Sequence, residues 1–250
     1  MRNVLCKIKD LDSKIFNFRV ANINKTVVTF NEMQEINKWC DENEVEVLCA
    51  LVDLSSYATT QLFEKSGFDF VGIRVTLENK DIKKVYPLPS WPKQWRYLVG
   101  IRPSRPTDKI AVKAIAREIN KSSRFFFDPH FSAKAPALYE AWIENSFQGY
   151  ADEVLVAEIN NEVAGYITIK IENDKGEIDL LGVDHKYQGM GLGYGLICKS
   201  FEWFLNKGVS DIMISTQGKN IKAIRLYEKV GFSVQSILGW YHQIRQTRND

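Results

Sequence analysis

The sequence predicts a mixed α/β (α+β) fold on a mixed, largely antiparallel central sheet, extended at its N-terminal side by a degenerate unit of the same kind. Three observations predict it. Residues 178–183, short and apolar, run through a glycine-rich turn into a helical pattern with Leu192, Leu196, Ile197, Phe201, Phe204 and Leu205 on one face. Upstream, residues 153–159 and 163–171 read as two strands joined at Asn160-Asn161-Glu162, a hairpin. Finally, Leu226-Tyr227-Glu228-Lys229-Val230-Gly231-Phe232 is nearly repeated at Leu62-Phe63-Glu64-Lys65-Ser66-Gly67-Phe68.

Taken in order, residues 1–78 form a first unit. Residues 14–23 alternate like a strand, residues 31–43 have helical spacing through Met33, Ile36 and Trp39, and residues 45–52 are again strand-like. Thr60 to Phe68 then reads as a helix ending at Gly67, either the repeat of the C-terminal pattern or a common helix ending. Residues 79–96, with Pro87, Pro89 and Pro92, form a stiff linker. The second unit, 97–250, opens with a strand at 97–102 and a helix capped at Pro106-Thr107-Asp108. Residues 124–131 read as a loop mixing four phenylalanines with Arg124, Asp128 and His130, and residues 136–147 as a helix burying Leu138, Tyr139, Trp142 and Ile143. The hairpin, a third strand at 177–183, the glycine turn, its helix stopped by Gly208, a strand at 212–214 and a last helix follow.

Composition narrows the function classes. At 250 residues the chain can bury a real core in one large or two small domains. Its net charge is +2 and no basic run stands out, which argues against nucleic acid or an anionic membrane as partner. Cys6, Cys40, Cys49 and Cys198 show no paired metal spacing, so no metal is expected, and three of them sit in apolar contexts that suit reduced buried thiols. With no signal peptide at Met1-Arg2-Asn3-Val4 and no membrane-length apolar run, a cytoplasmic protein is expected.

The chemistry centres on Asp184 to Gly193. A strand passing through glycines into a helix leaves N–H groups unpaired at the positive end of the helix dipole, which suits a phosphate. Gly189, Gly191 and Gly193 let an anion approach the main chain. The spacing fits neither a dinucleotide fingerprint nor a P-loop.

Gln188-x-x-Gly191-x-Gly193, followed by Asn220-x-x-Ala223-x-x-Leu226-Tyr227-x-Lys229-x-Gly231-Phe232, resembles the GNAT superfamily of acetyl-CoA-dependent N-acetyltransferases over roughly residues 97–242. The resemblance implies a GNAT fold with acetyl-CoA as co-substrate. Its pantetheine arm would pair with the backbone of Leu181, Gly182 and Val183 and be held by Asn220. Its pyrophosphate would lie on the N–H groups of Gln188, Gly189, Met190, Gly191, Leu192 and Gly193, and Tyr227 would stand near the thioester sulfur as general acid. Apart from the resemblance, Tyr227 also reads as a core aromatic. The base is left open among Glu177, Asp179 and a water held by main-chain carbonyls. In the first copy Phe63 replaces Tyr227 and no glycine turn precedes it, so that unit is expected to be inactive and to wall the substrate cleft.

For the acceptor, Asp12 to Phe18, Arg124 to Phe131 and Trp142 to Ser146 resemble the bacterial TDP-fucosamine acetyltransferases. That resemblance implies a nucleotide-linked 4-amino-4,6-dideoxy sugar as the small-molecule amine, facing Arg124, Phe126 and Asp128. In the bland reading of that segment its rings are core and Asp128-Pro129 a turn. The alternatives are another amine (protein N-terminus, lysine or polyamine) and a CoA-binding protein without catalysis. A homodimer is compatible with either.

Overall fold

A computed structural model describes residues 5–83, 99–119, 121 and 123–245. From residue 84 on, the expected linker lies outside the described residues, as does the start of the strand expected at 97. The elements run β1 (Cys6–Ile8), α1 (Asp10–Phe16), β2 (Val20–Ile23), α2 (Phe30–Glu42), β3 (Val47–Asp53), α3 (Tyr57–Lys65) and β4 (Asp69–Asn79). After the linker come β5 (Val99–Pro103), α4 (Lys109–Ile119), α5 (Arg124–Phe127), α6 (Pro129–Ser132), α7 (Ala135–Asn145), β6 (Glu153–Ile159), β7 (Glu162–Glu172) and β8 (Lys175–Val183). The chain closes with α8 (Leu192–Asn206), β9 (Ile212–Gln217), α9 (Ile221–Lys229) and β10 (Ser233–Ile244).

One ten-stranded sheet runs through both units in the order β1-β2-β3-β10-β4-β9-β8-β7-β6-β5. It is mixed and largely antiparallel, with β2–β3 and β8–β9 the parallel pairs. The units exchange their last strands: β10 lies between β3 and β4, and β4 lies between β10 and β9. Without this exchange β3 and β9 would each present a bare edge. A division at 78 and 96 thus follows the order of the chain, whereas in space the two units share one sheet.

The exchange is two-fold in register. The shift that carries Leu62 onto Leu226 is 164 residues. It relates Leu238↔Asp53 to Arg74↔Gln217, and Gln243↔Leu48 to Asn79↔Ile212. Between β10 and β4 it carries Leu238↔Arg74 onto itself and the bulge after Val234 onto the bulge before Tyr241. Counterparts of Asn220 and Tyr227 in the first unit are therefore Ser56, which caps α3, and Phe63, fully buried.

Four apolar clusters fill the layers. Leu192, Leu196, Ile197, Phe201 and Phe204 of α8 press on Leu155, Ile167, Ile169, Ile178 and Ile214 of the sheet. Leu205, expected on that face, is 38% exposed, because the packed stripe stops at Phe204. On the opposite face α4 and α7 cover Val156 and Tyr166, and in the first unit α2 and α3 pack on β3 through Met33, Ile36, Cys40 and Phe63. Phe16, Val20, Val47 and Cys49 meet Phe125, Phe131 and Leu138, joining the two units.

Two expectations are corrected, and two strands were not foreseen. The strand expected over 14–23 is the end of α1 followed by β2. Asn17 takes a left-handed φ of 62° and its N–H returns to Ser13 O, closing a seven-residue helix too short to show its period. The loop expected over 124–131 is two one-turn helices hinged on Asp128, which accepts from the His130 N–H at 2.9 Å. The long strands β4 and β10 were hidden by polar residues and by Gly72 and Gly239 within them.

Among the described residues, no helix is long and apolar enough to cross a membrane, and no group of three or more His, Cys, Asp or Glu could hold a metal ion. All four cysteines are buried free thiols.

Candidate active site

The site begins where two strands part. β8 and β9 pair only at Gly176↔Ile212, Glu177↔Met213 and Ile178↔Ile214. Beyond that, β8 continues along β7 to Val183 while β9 continues along β4 to Gln217. The facing main-chain groups of Asp179 to Val183 are left without a sheet partner, a ready edge for an extended amide-bearing chain.

The parting coincides with a bulge. On β7 the register moves from Thr168↔Leu180 to Ile169↔Ile178, so Asp179 is the extra residue. The Leu180 N–H turns to Thr168 Oγ1 at 3.0 Å. Simple alternation therefore does not hold across this strand. Glu177 is spent on Lys170 at 3.2 Å, whereas Asp179 has no ion pair or hydrogen bond among the described residues. Burial pushes its carboxyl up to about 6; Glu177 adds to the rise, and Lys170 and Arg74 oppose it.

A cleft of about 670 Å³ opens here, lined by Glu177, Asp179, Leu181, Asn220 and Tyr227 of the second unit and by Lys9, Asp12 and Arg74 of the first. Tyr227, on α9, is 5% exposed, and burial alone raises its phenol above the usual range. Asn220 accepts from the Ala223 N–H and donates to Thr216 Oγ1, each at 3.3 Å, and so fixes the start of α9 at the cleft's edge. Arg74 reaches across from the exchanged strand β4 and donates to Ser215 Oγ at 2.9 Å.

The glycine turn flanks this wedge. Gly189 and Gly191 have φ of +82° and +81°, and α8 has no side-chain cap. The Gly195 N–H donates to Gly191 O at 3.0 Å. Gln188 donates through its side chain to Val183 O at 3.1 Å, tying turn to strand. A Cβ on Gly193 would stand 3.1 Å from Leu226 of α9, and one on Gly182 would stand 2.1 Å from Ile119 Cδ1. Both glycines therefore allow a close approach. Met190 packs partly buried against the α8 core, and Leu192, 1% exposed, anchors the helix start.

The equivalent place in the first unit is shut. α2 stands between parallel strands β2 and β3 as α8 stands between β8 and β9, but its start carries a capping box: Glu32 Oε2 accepts from the Thr29 N–H at 2.9 Å. Hydrogen bonds from Lys25 and Thr29 hold the Glu32 carboxyl down at about 2. A protein carboxylate already stands where an anion would bind.

Of the residues expected to face the acceptor, the cleft takes in Arg124 alone. Phe126 stacks on Tyr139 at 6.1 Å, within the core. Asp128 is turned inward, Oδ1 on His130 and Oδ2 on His242 Nδ1 at 2.6 Å; despite burial, these bonds hold its carboxyl down at about 2. Its work is to tie α5 and α6 to β10. The bulge at Asp179, the entry of Arg74 and the cleft position of Trp240 were not read from sequence. Alternation within residues 69–79 was the available sign for Arg74.

The acetyltransferase (GNAT) family description matches residues 116–232. The chain is 32% identical over 141 residues to the spore coat polysaccharide biosynthesis protein SpsD of Bacillus subtilis (strain 168), covering 56% of this chain and 49% of that protein. It is 25% identical over 146 residues to the dTDP-fucosamine acetyltransferase of Escherichia coli O6:H1, covering 56% of this chain and 61% of that one. The chain thus spans less than two thirds of these relatives' lengths. Among solved structures, a GCN5-related N-acetyltransferase from Sphaerobacter thermophilus aligns with a TM-score of 0.71 at 17% identity, over 96% of this chain and 76% of that one. A tandem GNAT protein from the clavulanic acid biosynthesis pathway aligns at 0.62 and 13% identity, over 89% and 74%. These two likenesses concern the fold.

Proposed function

We propose, from the match of residues 116–232 to the acetyltransferase (GNAT) family description, that the chain is an acetyl-CoA-dependent N-acetyltransferase acting on a sugar-borne amine, a nucleotide-linked amino sugar. The observation that carries the transfer chemistry is the shared cleft: an isolated carboxylate at Asp179 and a buried phenol at Tyr227 face one wedge beside an uncapped helix.

The N–H groups from Gly189 to Gly193 at the start of α8 suit the pyrophosphate, and the edge from Leu181 to Val183, which has no strand partner on that side among the described residues, suits the pantetheine amides. The amine attacks the thioester carbonyl carbon. An N–C bond forms, the C–S bond breaks, and the amine sheds a proton. Asp179, ionised above about 6, takes that proton. A main-chain N–H near Val183 steadies the oxyanion. Tyr227, kept protonated by its raised pKa, donates to sulfur as negative charge builds there and regains its proton from solvent. In this scheme the first unit supplies β4, Arg74 and one cleft wall, and no chemistry of its own.

The sugar acceptor is supported by the names of two relatives, one in polysaccharide biosynthesis and one acetylating fucosamine. A thiol-release assay over a panel of amines tests it. Release with TDP-linked amino sugars well above that with peptide amines, lysine or polyamines is expected. Clear activity on a peptide amine with none on any nucleotide-linked amino sugar would overturn the acceptor assignment, and no release with any amine would overturn the transferase reading.

A further inference from the structure

We propose that the end of the cleft walled by Arg124 and Trp240 is a subsite for an anionic group, a phosphate or carboxylate, carried by the acceptor. The acceptor reading itself rests on the function proposed above.

Among the described residues, two of the cleft wall carry buried polar atoms with no hydrogen-bond partner: Arg124 Nε and Trp240 Nε1. Both can only donate. A buried orphan donor destabilises the fold, so two on one wall mark a place completed by something outside it. What would satisfy them is a compact group rich in acceptor oxygens.

The guanidinium is also set as if to receive a charge. It lies 3.6 Å from the Trp240 ring centroid and 4.0 Å from that of Phe125, flat between two apolar faces. Burial disfavours its charged form; Cys49, Tyr139 and Asp12 favour it and Arg74 opposes it. The carboxylate among these, Asp12, acts on it through space and not by a hydrogen bond, and burial raises the pKa of Asp12 as well. A planar donor fork with no ion-pair partner among the described residues matches the geometry of carboxylate or phosphate.

The arrangement also has polarity. Glu177 and Asp179 stand where an amine must arrive, and the orphan donors stand where the first unit meets α5. An acceptor with an amine toward one end and an anion toward the other would be oriented before reaction.

Binding is tested by calorimetry without acetyl-CoA, using two matched pairs: thymidine diphosphate against thymidine, and 2-amino-2-deoxyglucuronic acid against glucosamine. In the wild-type protein, at least one anionic member is expected to bind 10-fold or more tightly than its neutral partner, and the pair that responds identifies phosphate or carboxylate. Arg124→Gln should remove about 10-fold or more of that preference, as expected for one charge-assisted contact. Trp240→Phe, which keeps the ring and deletes only the N–H, should weaken it several-fold and decides the matter if Arg124→Gln does not fold. Equal binding within both pairs, no binding of either anion, or a preference that survives Trp240→Phe and any folded Arg124→Gln would overturn the subsite; a surviving diphosphate preference would belong to the glycine turn. Because no acetyl transfer is measured, failure here is separate from failure in the thiol-release assay.

Discussion

Tyr227→Phe is expected to lower kcat on the order of 10²-fold while acetyl-CoA affinity stays nearly intact. The ring is part of the core beside Phe232, so Phe fills the same volume and the fold is kept. What goes is the hydroxyl, which has no charged or hydrogen-bonding neighbour among the described residues to account for it structurally. Departing sulfur then lacks its donor, a loss felt in the transition state and not in the bound ground state. Single-turnover kinetics with a fluorimetric titration of acetyl-CoA would separate the two. Full turnover in the variant would remove Tyr227 from the reaction, and a matching loss of affinity would make it a binding residue.

Asp179→Asn should have the larger effect on rate, a fall of 10²- to 10⁴-fold in kcat/KM, within the range for loss of a general base. In the wild-type enzyme the carboxylate is the active form, so kcat/KM should rise with pH through about 6, before any further rise from deprotonation of the acceptor. That lower limb should vanish in the variant. Stability should move the other way. Asp179 is raised from 3.8 to about 6 in the folded chain, so ionising it there costs stability: nothing is lost below pH 3.8, and the full amount, up to about 3 kcal/mol, is lost above about 6. Asn carries no such cost, so the variant should melt several degrees higher at pH 7.5 and gain little at pH 4. A variant less active but no more stable at pH 7.5 would mean that Asp179 is solvated and unperturbed in the free protein.

The glycine turn, the meander and the last helix were legible because each is local: hydrophobic period, turn residues and helix ends lie within a few residues of one another. Tyr227 and Asn220 were singled out by the family resemblance that their motif carries, and both line one cleft. The exchange of β4 and β10 was not legible, since strand neighbours far apart in sequence leave no mark in either strand. Asp179 and Glu177 looked equivalent by alternation. A one-residue bulge and a single lysine on the neighbouring strand separate them. Residues 124–131 misled for a related reason: an Asp in an aromatic segment looked available to a ligand, but its partner, His242, is 114 residues away on β10.

The two-fold repeat gives the function its sharpest form. The chain has two helices that follow the first strand of a parallel pair, of which α2 starts with the Glu32 capping box and α8 starts without a side-chain cap at Gly191. A crystal soaked with acetyl-CoA tests this most directly. The expected result is density for a single molecule, its diphosphate on the amides between Gly189 and Gly193 and its thioester carbonyl between Asp179 and Tyr227. Density at the start of α2, or a thioester lodged away from both side chains, would contradict it.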